Sequence, residues 1–211
     1  VYLLHWLYRR SSKEVSFVRT GMLGEKVVIS GGAFVLPIIH NITQVGMRTL
    51  SLNIKRAGEK SLITKDRMRA ELVTEFFTKV PPEAKAVSTA AQTLGNRTLD
   101  PEHLKEVVAG RFADALGEVA AKMTLDEIQE NRGQFVKEVA KIANESIGHT
   151  GLALETVSII SLDQAPIEMF NPANTFDSQG LTQLTEQIEE RKKKRNDITQ
   201  DTKISIENKN L

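Results

Sequence analysis

The sequence predicts an α+β fold, β-rich first and helix-rich after, on three observations. Residues 61–80, SLITKDRMRAELVTEFFTKV, alternate in type more persistently than any other stretch. Met68, Ala70, Leu72, Thr74, Phe76, Thr78 and Val80 share one parity, while Arg69, Glu71, Val73, Glu75, Phe77 and Lys79 share the other. Successive side chains of a strand point to opposite faces, so this reads as a strand with one dry and one wet face. Short strand-like runs separated by glycines precede it, and long segments of helical spacing bounded by capping residues follow it. A strand able to pack helices on one side is where two such parts meet.

The 40% hydrophobic content over 211 residues is enough for one substantial core. Lys and Arg number 28 against 27 Asp and Glu, so no bulk field favours nucleic acid as a partner. The absence of cysteine excludes disulfides, thiolate zinc sites and cysteine nucleophiles together.

Taken in order, the chain opens with VYLLHWLY and then Arg9-Arg10. Eight residues are too few to span a bilayer, which takes roughly 20. Aromatic rings followed at once by arginines is nevertheless the composition of a membrane helix leaving the hydrocarbon. The stretch reads as the last turns of an anchor, the alternatives being an amphipathic first helix or a hydrophobic surface flap. Residues 16–20, 26–30 and 33–40 read as short strands of a β-meander, separated by glycine turns. Within the third, Phe34, Val35, Leu36, Pro37, Ile38 and Ile39 form an apolar run that does not alternate. Such a run is either doubly buried or laid against lipid, and Pro37 forbids a central ladder position.

Residues 45–54 read as a further strand, with Leu50, Leu52 and Ile54 on one face, paired antiparallel with 61–80 through the turn at 57–60. Pro81-Pro82 stops the sheet and opens a helix lined by Ala84, Val87, Ala90, Ala91 and Leu94, which ends at Gly95-Asn96. Asp100-Pro101 is an N-cap followed by proline, and Leu104, Val108, Phe112, Ala115, Val119 and Met123 then recur at helical spacing. Thr124 and Glu127 have the capping-box spacing and start a third helix, expected to run to Ile147. After the 148–151 break, 152–162 alternates again, with Leu152, Leu154, Thr156, Ser158, Ile160 and Leu162 on one parity. Residues 163–177, with Pro166 and Pro172, read as a hinge. From Ser178 the pattern is helical but polar: Leu181, Leu184 and Ile188 make a seam that RKKKR at 191–195 interrupts before Ile198. A helix this polar has to associate with copies, continue into a longer stalk or fray.

No constellation with catalytic spacing emerges. His5, His40, His103 and His149 share no i,i+4 face, so surface or capping roles account for them better than metal ligation. The glycines at 21, 24, 31 and 32 lack the Lys-Ser/Thr and the strand-to-helix context of a phosphate loop. Glu186, Glu189, Glu190 and Asp197 flank the basic run at 191–195, making it a solvated helix face. The expectation is no enzyme, no cofactor, no metal and no nucleic acid.

Six segments carry a resemblance: FVRTGMLGEKVVISGGAFVLPIIHNIT, SLITKDRMRAELVTEFFTKV, AAQTLGNRTLDPE, MTLDEIQENRGQF, GLALETVSIISLDQ and FNPANTFDSQGLTQLTEQIEERKKKRNDI. In order and spacing they resemble the stomatin/prohibitin/flotillin (SPFH, band-seven) superfamily, and bacterial flotillin-like proteins in particular. The resemblance implies an SPFH domain with a small antiparallel β-meander subdomain, a helix-rich α/β subdomain and a C-terminal helix beginning a coiled-coil stalk. The implied layout is an anchor end at 1–10, a membrane-proximal subdomain at 11–60, a second subdomain at 61–165, a hinge at 166–177 and the stalk start at 178–211. It further implies a non-enzymatic scaffold in the bacterial inner membrane, anchored by a single pass with its domain facing the cytoplasm. Its implied partners are membrane lipids, other copies through neighbouring domains and stalks, and a small NfeD-type membrane protein or a membrane protease that it could instead serve as adaptor. Tyr2, Leu3, Leu4, Trp6, Leu7, Tyr8, Arg9, Arg10, Phe34, Val35, Leu36, Pro37, Ile38 and Ile39 are then the expected membrane contacts, and Leu181, Leu184, Ile188 and Ile198 the oligomer seam.

Overall fold

The computed structural model describes residues 7–22 and 24–209. Strands β1 (Tyr8–Arg10) and β4 (Gly32–Phe34) pair antiparallel as a short ribbon, with Tyr8 opposite Phe34. Beside it, β2 (Val15–Gly21) runs antiparallel between β3 (Lys26–Val28) and β5 (His40–Gly46). The pleat of β2 divides its apolar residues between two cores. Phe17 joins Val28, Ala33 and Val35 in a small cluster, while Val18 and Val45 join the main core.

The second sheet is built on β8 (Arg69–Lys79), with β6 (Leu50–Arg56) and β7 (Leu62–Ile63) on one edge and β9 (Ala153–Gln164) along the other, all antiparallel. The dry face expected from alternation is present: from Met68 to Val80 no residue of that parity is more than 3% exposed. Its two threonines are satisfied, as burial requires, by donating to the carbonyls of Ile54 and Ala153. Helices α1 (Ala84–Thr93), α2 (Pro101–Ala120), α3 (Leu125–Glu130) and α4 (Arg132–Gly148) follow β8, and their apolar stripes complete the core. Phe76 of β8 stacks on Phe112 of α2 with ring centroids 4.4 Å apart.

The expected caps are in place. Asp100 accepts from the backbone N–H groups of Glu102 and His103 at 3.0 and 3.4 Å, and the His103 N–H first of all holds its carboxyl below the ordinary value. Thr124 and Glu127 form the reciprocal capping box.

Several boundaries differ from expectation, each for a local reason. Residues 61–80 are a hairpin rather than one strand, turning at Thr64–Met68 with Arg67 at φ 60°. Residues 45–54 are split between the two sheets, because β5 ends where Gly46 lies against the 3-10 turn Gly95–Leu99. The Gly46 N–H donates to Thr98 Oγ1 at 2.9 Å, and a Cβ at this position would collide with the Thr98 carbonyl. Strand β6 therefore belongs to the second sheet, and the break between the sheets falls at 47–49 rather than at 60. The strand expected at 33–40 stops at Phe34, and 37–39 form a turn.

The helix expected from Thr124 to Ile147 is broken at Asn131, whose backbone sits at φ −117°, ψ 48°. The Asn131 N–H closes α3 onto the Glu127 carbonyl, and its own carbonyl opens α4 by accepting from Gln134 and Phe135. Pro81 and Pro82 precede α1 rather than opening its first turn, with Glu83 at the N-cap, and Ala84 is exposed.

On β9 the buried side chains are Val157 and Leu162, which do not share a parity, and Leu152 is buried just before the strand. Two register shifts against β8, at Val73/Thr74 and Phe77/Thr78, leave Ile160 and Glu155 without partners. Each extra residue flips the facing of the strand beyond it.

Candidate membrane-facing surface

At one end of the β2–β5 sheet, the chain leaves β4 and returns as β5 through a turn that the sequence fills with apolar residues. Phe34, Leu36, Ile38 and Ile39 stand exposed there, with Ile38 at 97%. Val35 does not: it points inward at 6% exposure, in the small core with Phe17 and Val28, which corrects its expected place among the lipid contacts. A strand-like alternation over Phe34, Val35 and Leu36 produces this split, one side chain anchoring the turn beneath its two neighbours.

The turn is held by its own backbone. The Leu36 carbonyl accepts from the N–H groups of Ile39 and His40 at 3.1 and 2.9 Å, and the Leu36 N–H donates to His40 Nδ1 at 3.1 Å. From below, the Val35 N–H donates to the Leu7 carbonyl at 2.8 Å, and Arg19 Nη1 donates to the Phe34 carbonyl at 2.8 Å. Tyr8 meets Phe34 edge to face at 5.2 Å, and the Arg10 guanidinium lies 5.8 Å from the Tyr8 ring. Of the expected anchor end, Tyr2, Leu3, Leu4 and Trp6 lie outside the described residues, as does His5. Tyr8, Arg9 and Arg10 are strand rather than the last turn of a helix, because β4 offers them a ladder. No helix among the described residues is long and apolar enough to cross a membrane.

Sequence reasoning missed Met22. It is 80% exposed, and its N–H donates to the Ile39 carbonyl at 3.4 Å, so it adds to the same apolar tip from a neighbouring turn. The signal was a methionine inside a glycine-bounded turn, where a polar residue would be ordinary.

At the opposite end of the chain, α5 (Thr175–Lys209) is a 35-residue helix, roughly 50 Å long at 1.5 Å per residue. The segment expected as a hinge is pinned to the second sheet. Arg69 grips Asp177 with two hydrogen bonds of 2.8 Å, and the Asn171 N–H adds a third at 3.1 Å. The guanidinium holds the Asp177 carboxyl below the usual carboxylate range, against the opposing effect of burial. Gly180 lets α5 come up against the Arg67 carbonyl, where a Cβ would collide, and the Arg67 guanidinium lies 4.7 Å from the Phe176 ring.

Leu184 is buried against Met68 and Phe170, with Leu181 beside it. Both are thus used in seating α5 on its own domain, which corrects their expected place in an oligomer seam. Ile188 and Ile198 remain exposed. Among the described residues no group of His, Asp and Glu has the arrangement of a metal site. His103 lies beside Asp100, and His149 beside Arg111.

The SPFH domain / Band 7 family matches this chain over residues 11–197. The flotillin family inner membrane protein YqiK of Escherichia coli is 48% identical over 204 residues, covering 97% of this chain and 37% of YqiK. A flotillin family inner membrane protein of Synechocystis is 28% identical over 211 residues, covering 98% of this chain and 31% of that protein. The flotillin-like protein FloT of Bacillus subtilis is 27% identical over 136 residues, or 64% of this chain and 25% of FloT. The chain thus spans about a third of the length of the first two of these relatives. With the family model matching 11–197 of its 211 residues, the chain belongs to the SPFH domain / Band 7 family.

Proposed function

We propose that this chain is the membrane-proximal part of a non-enzymatic scaffold in the bacterial inner membrane, which assembles through copies of itself into rings or cages around a membrane microdomain. The observation that carries this reading is the apolar tip. Phe34, Leu36, Ile38, Ile39 and Met22 expose large side chains on adjoining turns, while a separate small core beneath them is already filled. Contiguous exposed apolar surface on a soluble face marks a docking or membrane contact. The similarity to inner membrane proteins of the flotillin family supports lipid as what it meets. At the other end, α5 leaves the domain with its outer turns exposed on all sides, which supports association beyond Leu184 with other copies.

Replacing Phe34 and Ile38 together by Asp is expected to abolish binding of the chain to liposomes while leaving its unfolding transition in place. Unchanged binding with the fold intact would sink the membrane contact. For assembly, cross-linking of the full-length protein in membranes is expected to give high-order ladders. A strict monomer, or a small complex with one stoichiometric partner protein, would replace the scaffold by an adaptor.

A further inference from the structure

Beyond its seat, α5 carries opposite charge on two opposite sides. Residues 189–207 are all exposed, past the contacts that hold the helix to its own domain. Along the sequence the acids merely flank the basic run, but wound at 3.6 residues per turn the two kinds separate. Leu184, Ile188, Arg191 and Arg195 follow one another at spacings of four, three and four, so the two arginines prolong the line that seats the helix. Glu186, Glu190, Asp197 and Asp201 recur at four, seven and four, and make a second line on the other side. Lys193 and Lys194 stand beside the middle of that line, three or four positions from both Glu190 and Asp197, which they can serve within the helix.

The remaining charges have no such service. Arg191 and Arg195 have no acid three or four positions away in either direction, and Glu186 and Asp201 have no base there. The two arginines are instead one turn apart, a like-charge pair that the helix does not relieve. Among the described residues neither forms an ion pair, whereas Lys192 on their flank is turned to Glu189 at 2.7 Å.

Two parallel copies meeting basic face to basic face would bring four guanidiniums together, which like-charge repulsion opposes. Front-to-back packing removes the conflict. Arg191 and Arg195 are spaced by four residues, as are Glu186 and Glu190, so a single shift of five residues, about 7.5 Å along the axis, sets both arginines against both carboxylates. Five residues also turn the helix by about 140°, which places the two pairs on nearly opposite sides, as a front and a back require. Asp197 and Asp201 share the spacing but lie six residues off, about 120° round, and are less well opposed.

We propose that α5 packs front to back against a second copy of this chain, with Arg191 and Arg195 of one copy paired with Glu186 and Glu190 of the next. Such a contact joins two different faces, so each added copy presents the same free faces again and the series continues until it closes on itself. The proposal rests on assembly through copies of the chain and adds to it the faces, their polarity and their register.

The test is cross-linking of the full-length protein in membranes with two double variants. Arg191→Glu/Arg195→Glu makes both faces acidic, and Glu186→Arg/Glu190→Arg makes both basic. Each alone is expected to cut the share of protein in high-order species about tenfold. The unfolding transition of the chain is expected to stay in place, because all four residues are exposed. Expressed together, the two variants offer every acidic face a basic one, and the long ladders are expected to return. A local loss of helix would not be repaired by mixing. Glu186→Arg/Glu190→Arg that assembles like the unaltered protein would overturn the acidic face, and a mixture that fails to recover would overturn the pairing between copies. Recovery of Arg191→Glu/Arg195→Glu by Asp197→Arg/Asp201→Arg in the same chain, and not by Glu186→Arg/Glu190→Arg, would overturn the register. Ladders that none of these changes shortens would overturn the contact and leave assembly standing, whereas a strict monomer of the unaltered protein would overturn both.

Discussion

The second sheet and the tip above β4 treat apolar side chains in opposite ways. On β8, Ala70, Leu72 and Phe76 are at most 1% exposed and face four helices that bring matching stripes. At the tip, Phe34 is 52% and Ile38 97% exposed, over a core of only a few residues that Val35 already helps to fill. The difference teaches where to look for function in a protein with no catalytic constellation. Apolar area that the fold leaves in water is area the folded monomer does not use.

That contrast is broken or sharpened by four substitutions and one pH series, in descending effect. Phe76→Ala removes a ring stacked on Phe112 at 4.4 Å and is expected to destabilise the chain by about 3–5 kcal/mol in denaturant unfolding. Asp177→Ala leaves Arg69, whose side chain is 12% exposed, without its partner, and is expected to cost about 3 kcal/mol and to raise hydrogen exchange in the first turns of α5. The same pair sets a pH dependence. The Asp177 carboxyl is depressed in the folded state, so its contribution is fully present above the ordinary aspartate value and is lost as pH falls through the lower folded value. The seat of α5 is therefore expected to hold through neutral and mildly acidic pH and to weaken only below about pH 4, read from exchange in α5.

Asp100→Ala removes the cap of α2 and is expected to cost about 1 kcal/mol in the same unfolding assay. Last, Phe34→Ala is expected to change stability by no more than about 0.5 kcal/mol while lowering liposome binding. A stability loss for Phe34→Ala comparable to that for Phe76→Ala would place the tip in the core and end the contrast.

Legibility in the sequence followed the range of the interaction involved. The dry parity of 68–80, the Asp100 cap and the Thr124–Glu127 box depend on residues a few positions apart, and all three stand in the structure as read. The sequence shows one strand at 45–54 where the structure has two, because Thr98, 52 positions from Gly46, is what ends β5. Likewise the seam at Leu181 and Leu184 reads from the sequence as facing other copies, because Met68, which covers it together with Phe170, lies far back in the chain. In the tip, residue type identified the run, but only the turn at 37–39 separated exposed Phe34, Leu36 and Ile38 from buried Val35 and brought Met22 beside them.

Residue type and period alone determined the α+β class, the buried face of β8 and the starts of α2 and α3, because pleat, helical pitch and capping are local consequences of the backbone. The tertiary structure alone decided that β9 changes face twice, since a bulge is defined against the partner strand and leaves no mark in the strand's own alternation. It also decided that Arg69 and Asp177, 108 positions apart, join to aim the terminal helix. A buried ion pair depends on which charges the fold brings together out of water, and no spacing along the chain encodes that.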